Sequence, residues 1–200
     1  MKKLPLSFYR RDQVLDIARE LLGKILVSKS GRIITAGRIV ELEAYHGIKD
    51  RASHAWNGRR TARNEIMYAG GGYSYVYLCY GIHHLFNVVT GLKDVPHAIL
   101  IRGLEPLQGI KAMEKRMNRK YGPTLTRGPG NLSRALGIST SRNGTSLTGQ
   151  EIFIADDGFR FKPGEISTSP RIGVDYAGAD ALLPYRFYIP GNPFVSGKPA

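Results

Sequence analysis

Two carboxylates, Glu41 and Glu43, stand two residues apart in the run Arg38-Ile39-Val40-Glu41-Leu42-Glu43-Ala44-Tyr45. A β-strand alternates its side chains with period two, so Val40, Leu42 and Ala44 point one way while Glu41, Glu43 and Tyr45 point the other. The apolar face suits a core. The acidic face is out of keeping with a chain of net charge +13, whose surface should meet an anionic partner with Lys and Arg. Residues 46–72 form a long polar stretch holding Arg51, His54, Trp56, Arg59, Arg60, Arg63 and Asn64, a density of Arg with an interleaved aromatic that suits phosphate contact. Tyr75 and Tyr77 share one strand face and, with Tyr45, could wall a slot for a flat ring. The same spacing also describes an ordinary half-buried aromatic sheet face. A carboxylate beside such a slot could serve hydrolysis of a glycosidic bond in a nucleotide, which needs a base for water and negative charge for an oxocarbenium-like sugar. Paired acids on a strand face are, against this, often merely solvated.

The elements that must position these residues are legible in part. Asp12 is expected to cap a helix with Val14, Ile17, Ala18, Leu21 and Leu22 on its apolar face and Gly23 as its stop. Residues 24–29 and 33–45 read as strands joined at Ser30-Gly31. Residues 73–79 and 82–89 read as two more, closed by a tight hairpin at Tyr80-Gly81 in which Gly81 supplies a positive φ. Tyr80 at such a tip projects outward, where a ring can wedge between base pairs. A strand over 97–102 comes next. Glu105-Pro106 is expected to open a second helix, with Leu107, Ile110, Met113 and Met117 along one side. A Gly128-Pro129-Gly130 turn leads to a short helix around Leu132 to Leu136, whose N-terminus could hold a phosphate. The last third is rich in Gly, Pro, Ser and Thr, with strands expected over 151–155 and 186–189. No repeat or boundary divides the chain, so residues 1–200 are expected to form one α+β domain, a mainly antiparallel sheet flanked by helices.

Composition narrows the classes. Lys and Arg number 29 against 16 acids and eleven tyrosines are present, which favours nucleic acid over a lipid surface as the partner. Cys79 is the only cysteine, so an intramolecular disulfide is excluded and a reducing compartment is favoured. No run reads as a signal peptide or a membrane span, and the expected location is cytoplasmic, without membrane association. None of the five histidines, at 46, 54, 83, 84 and 97, pairs with an acid at helical zinc-ligand spacing, which argues against a metal site.

Glu41-Leu42-Glu43-Ala44-Tyr45, His54, Arg63-Asn64, Tyr75-Val76-Tyr77, Tyr80-Gly81, Asn87, Arg102 to Pro106, Gly128-Pro129, Arg171-Ile172-Gly173-Val174 and Arg186-Phe187-Tyr188 together resemble the 3-methyladenine (alkyladenine, N-methylpurine) DNA glycosylases. The likeness holds in order and spacing from about Gly37 to Ser196. It implies a monofunctional enzyme that excises alkylated or deaminated purines from damaged double-stranded DNA, with no cofactor. It further implies a curved antiparallel sheet, a protruding hairpin and a monomer. By this resemblance Glu43 is the general base for water, with Arg102 and the Ile172 carbonyl as further contacts of that water. Tyr45, His54 and Tyr77 wall the pocket for the flipped base. The backbones of Ala44 and His54 read its edge, Asn87 guards against normal purines, and Tyr80 is the intercalating wedge. Leu42, Ile82 and Asn131 depart from residues common in the family, Thr, Met and Lys. The chain also begins near the catalytic core, as expected of a bacterial form. Glu41 receives no chemistry and is expected to be supporting or solvated. The residues alone also allow a non-catalytic binder of damaged nucleic acid or a hydrolase of free nucleosides.

Overall fold

In the computed structural model, which describes residues 1–197, nine strands form one curved sheet with antiparallel pairings. They are β1 (Lys2–Lys3), β2 (Ile25–Ser30), β3 (Ile33–Tyr45), β4 (Ser74–Cys79), β5 (His83–Thr90), β6 (His97–Gln108), β7 (Ile152–Asp156), β8 (Ser167–Ser169) and β9 (Arg186–Tyr188). The order is β1-β7-β2-β3-β6-β5-β4, with β9 bridging β3 and β8. Four α-helices accompany it among the described residues, α1 (Leu6–Tyr9), α2 (Val14–Leu21), α3 (Ile110–Met117) and α4 (Pro129–Leu136). No helix among the described residues is long and apolar enough to cross a membrane.

The alternation expected of β3 decides the layering. Leu42 and Ala44 are buried in the main core with Val76, Phe86, Val88, Ile99 and Ile101 of the neighbouring strands. Onto them pack Ile17 and Leu21 of α2, Met113 and Met117 of α3, and Leu132 and Leu136 of α4. The opposite face is covered too, by residues 46–69 and by the segment after β8, so Glu41 and Glu43 are wholly buried. Of the two roles expected for Glu41, supporting or solvated, burial removes the second.

Register carries the acidic face across the sheet. Tyr75 of β4 pairs with Asn87 of β5, Asn87 with Leu100 of β6, Leu100 with Glu43 of β3, and Glu43 with Arg186 of β9. Paired residues share a face, so one transverse row runs from the tyrosines through Glu43 to Arg186. Pairing is irregular where Glu41 meets Gly103, as sheets often are beside functional sites, and Arg102 shares the face of the two acids.

Several expectations need correction. Pro106 does not open a helix. It continues β6, paired with Gly37, at a point where β5 no longer flanks that strand, so its missing N–H leaves no ladder partner wanting. The helix begins four residues later, at Ile110, after Gly109 at φ +76°. Asp12 does not cap α2, whose N-cap is Gln13; its carboxylate instead faces His97 Nε2 at 3.1 Å. The hairpin is one residue longer than expected: Cys79 pairs with His83, so Tyr80, Gly81 and Ile82 form the connection, with both Tyr80 (φ +50°) and Gly81 (φ +72°) left-handed. The helix expected around 132–136 starts at Pro129.

Candidate active site

Three groups converge on the Glu43 carboxylate. The Tyr45 hydroxyl donates to Oε2 at 2.9 Å, the Ile172 backbone N–H donates to Oε1 at 2.8 Å, and Arg102 Nη1 lies 3.3 Å from Oε1. A carboxylate offers about four lone-pair sites, and on this count Oε2 keeps one uncommitted. Burial disfavours the Arg102 charge, yet Glu43 and Glu41 outweigh it and hold its pKa above the ordinary arginine value. Burial, reinforced by Glu43, raises Tyr45 well above the usual phenol range, so it remains a proton donor. Ile172 reaches Glu43 through its N–H. The tie to its carbonyl implied by the resemblance concerns a water and not the carboxylate.

Beside Glu43 lies the aromatic cluster. His54 and Tyr77 have ring centroids 4.7 Å apart, Tyr75 and Tyr77 5.3 Å, and His54 Nδ1 is 2.8 Å from the Tyr75 hydroxyl. Burial, followed by the nearby Arg63 and Arg59, lowers the His54 pKa to about 4, and burial pushes Tyr75 up to about 12. Between these rings, Tyr45, Ala52, Met67 and Asn87 lies a cavity of about 40 Å³. That holds about three waters. Asn87 donates through Nδ2 to the carbonyls of Tyr75 and Leu85, which fixes its amide. Ala44 does not line this cavity: it is buried in the main core, its N–H donates to Tyr185 O and its carbonyl accepts from Arg171. Its place on the β3 face that packs under the helices is the reason, and Ala52 lines the cavity instead.

An open cleft of about 550 Å³ adjoins, lined by Tyr45, Tyr77, Tyr80, Arg102, Ile172 and the Gly128–Asn131 start of α4, among others. Tyr80 is 89% exposed and Ile82 72%. Arg63 lies 4.8 Å over the Tyr77 ring, and a second basic cleft of about 780 Å³ extends past it to Arg51, Trp56 and Arg59. The long polar segment is held in place from inside. Asn64 donates to the carbonyls of His54 and Arg59 and accepts from Thr61, while Arg171 and Asp50 form a fully buried bidentate pair at 2.5 and 2.8 Å.

Sequence reasoning missed Ala52, Tyr176, the Arg171–Asp50 pair and Ser196. Tyr176, 71% exposed, donates its hydroxyl to Ala52 O and stands at the mouth of both clefts. Ser196 lies 155 residues from Glu41, which it contacts, and no local pattern links them. Ala52 falls in the Arg-rich segment two residues before His54, where a strand-face count does not apply.

The family model described as "Methylpurine-DNA glycosylase (MPG)" matches residues 7–193. A relative from Desulfitobacterium hafniense (strain Y51) is 43% identical over 99% of this chain and 100% of its own, and one from Chlamydia abortus 45% identical over 93% and 97%. A third, from Bacillus cytotoxicus, is 42% identical over 97% of this chain and 99% of its own. All three carry the name "Putative 3-methyladenine DNA glycosylase". A buried carboxylate beside an aromatic slot at the mouth of a basic cleft thus occurs in a chain that belongs to the methylpurine-DNA glycosylase family, hydrolases that act on DNA.

Proposed function

We propose that residues 1–200 act as one glycosylase domain that excises alkylated or deaminated purines, 3-methyladenine, 7-methylguanine, hypoxanthine and ethenoadenine among them, from duplex DNA. The lesion is flipped into the slot of Tyr45, His54 and Tyr77, and Glu43 deprotonates the water that attacks the sugar. The observation that carries this reading is the set of donors around Glu43, which leaves one lone pair on Oε2 beside the cleft floor formed by Tyr45, Arg102 and Ile172.

The energetics favour that order of events. Flipping costs a few kcal/mol, less where alkylation has already weakened pairing. A purine alkylated at N3 or N7 is cationic, and rings of tyrosine and a neutral histidine attract it more than a neutral base. Its charge also makes it a good leaving group, so no strong general acid is demanded. As the bond to the sugar lengthens, positive charge grows on the sugar near Glu43, and a preorganised carboxylate stabilises it with no reorganisation. Tyr80 fills the gap in the stack, and Asn87, fixed from behind, guards the slot against normal, uncharged purines that carry an exocyclic amino group. The Ile172 carbonyl and His54 backbone complete the contacts to water and base edge.

The test is incubation with methylated duplex DNA in the presence of EDTA. Release of free 3-methyladenine or 7-methylguanine is expected at the rate seen without chelator. Binding with no base release would leave a damage-binding protein, and release from free nucleosides alone would leave a nucleoside hydrolase.

A further inference from the structure

Glu41 has no part in the chemistry above, yet its carboxylate is among the best satisfied in the molecule. Oε1 accepts from Arg102 Nε at 3.1 Å, Arg186 Nε at 2.8 Å and Ser196 Oγ at 2.9 Å, and Oε2 accepts from the Ser196 N–H at 2.6 Å. Arg102 is thereby held along three of its nitrogens: Nε on Glu41, Nη2 on Ser196 Oγ at 3.2 Å, and Nη1 facing Glu43. Arg186 is fixed in turn by Ser169 Oγ and Ser196 O.

An arginine beside a lone carboxylate settles into a two-pronged pairing that takes both oxygens. On Glu43 that pairing would occupy Oε2 and remove the lone pair a water needs. Glu41 takes the Nε edge of Arg102 and Ser196 holds Nη2, so that one nitrogen, Nη1, remains for Glu43. Charge points the same way. Arg102 and Arg186 against Glu41 and Glu43 sum to zero, whereas without Glu41 the base would stand among two buried guanidiniums with a net positive charge, where the transition state itself becomes positive.

We propose that Glu41 is a positioning residue for base excision: it holds Arg102 in a single-nitrogen contact with Glu43 and cancels the second guanidinium, with Ser196 as the latch. This rests on the assignment of Glu43 as the general base.

The test is a double-mutant cycle on single-turnover excision from a duplex carrying one 7-methylguanine, with rates normalised to the folded, DNA-binding fraction. Glu41→Gln is expected to slow excision about 10- to 100-fold, as misplaced catalytic groups do, with the dissociation constant for the duplex unchanged. In an Arg102→Lys background, which keeps the charge but lacks the fork, the same substitution should slow excision by a clearly smaller factor than in the wild type, because the fork it positions is gone and only the charge it cancels remains. Multiplicative effects of the two substitutions would overturn the proposal, since Glu41 would then act on the fold alone. Ser196→Ala, which keeps all four charges, supplies the same cycle should Glu41→Gln not fold; it is expected to slow excision by a smaller factor that vanishes with Arg102→Lys. Glu43→Gln run alongside separates the two claims. If it excises at the wild-type rate the general-base assignment fails, and if it is silent while the cycle is multiplicative only the role of Glu41 fails.

Discussion

Around Glu43, a phenol, a backbone N–H and a guanidinium reach one carboxylate, and each is placed by a different element: β3, the segment after β8, and β6. His54 stands opposite with its pKa lowered to about 4, first by burial and then by Arg63 and Arg59. A depressed histidine pKa means that the unfolded chain binds the extra proton between about 6.5 and 4, so this part of the stability is full above pH 6.5 and is lost as pH falls toward 4. NMR titration of the His54 ring is expected to give a midpoint near 4, with the ring neutral throughout the range in which it would meet a cationic purine; a midpoint near 6.5 would contradict that. Which residues gather around Glu43 was partly legible. The period of β3 put Glu41 and Glu43 on one face, and the tyrosine spacing put Tyr75 and Tyr77 on another shared face. What a period cannot tell is what covers a face, which is why Glu41, wholly buried under Arg186 and Ser196, left a solvated role open in the sequence. Ala44 illustrates another limit, since the edge-reading role implied for its backbone meets an N–H and a carbonyl already committed to Tyr185 and Arg171, partners that no strand period reveals.

At the scale of elements, the bounds of β2 and β3 were close to their sequence readings because the turn at Ser30-Gly31 divides two β-rich runs, whereas the hairpin connection is one residue longer than its reading. Pro106 misled because a proline marks a helix start only where the strand before it has ended, and β6 continues along one neighbour. The short pieces β1, β8 and α1 carry too few residues for any period to show. The covering segments depend on tight packing. An added Cβ at Gly103 would lie 2.5 Å from Phe194 O, so Gly103→Ala is expected to lift the tail that brings Ser196 to Glu41. Excision should then slow more than duplex binding weakens, as read by single-turnover rate against dissociation constant. Arg171→Ala strands a buried Asp50 and is expected to cost about 3–5 kcal/mol in urea unfolding, with faster hydrogen exchange in residues 46–54. A loss within experimental error would show that the pair does not hold the His54 segment.

For the whole molecule, the excess of 29 basic over 16 acidic residues suits it to DNA, and in the proposed mechanism the buried Glu43 acts once a lesion has entered the slot. If about five phosphates are neutralised, affinity should fall roughly 500-fold between about 50 and 200 mM salt, as counterion release requires. Tyr80→Ala is expected to weaken binding to lesion duplex by about tenfold, the equivalent of part of one base-step unstacking, and to leave single-stranded binding nearly unchanged. Equal losses on both would remove the wedge role. In the proposed mechanism excision turns on one carboxylate, and the direct measurement is base release from methylated duplex DNA by Glu43→Gln beside the wild-type protein, with duplex affinity measured on the same samples. The expected result is wild-type affinity with base release reduced to background. Release at the wild-type rate would contradict the assignment of Glu43 as the base.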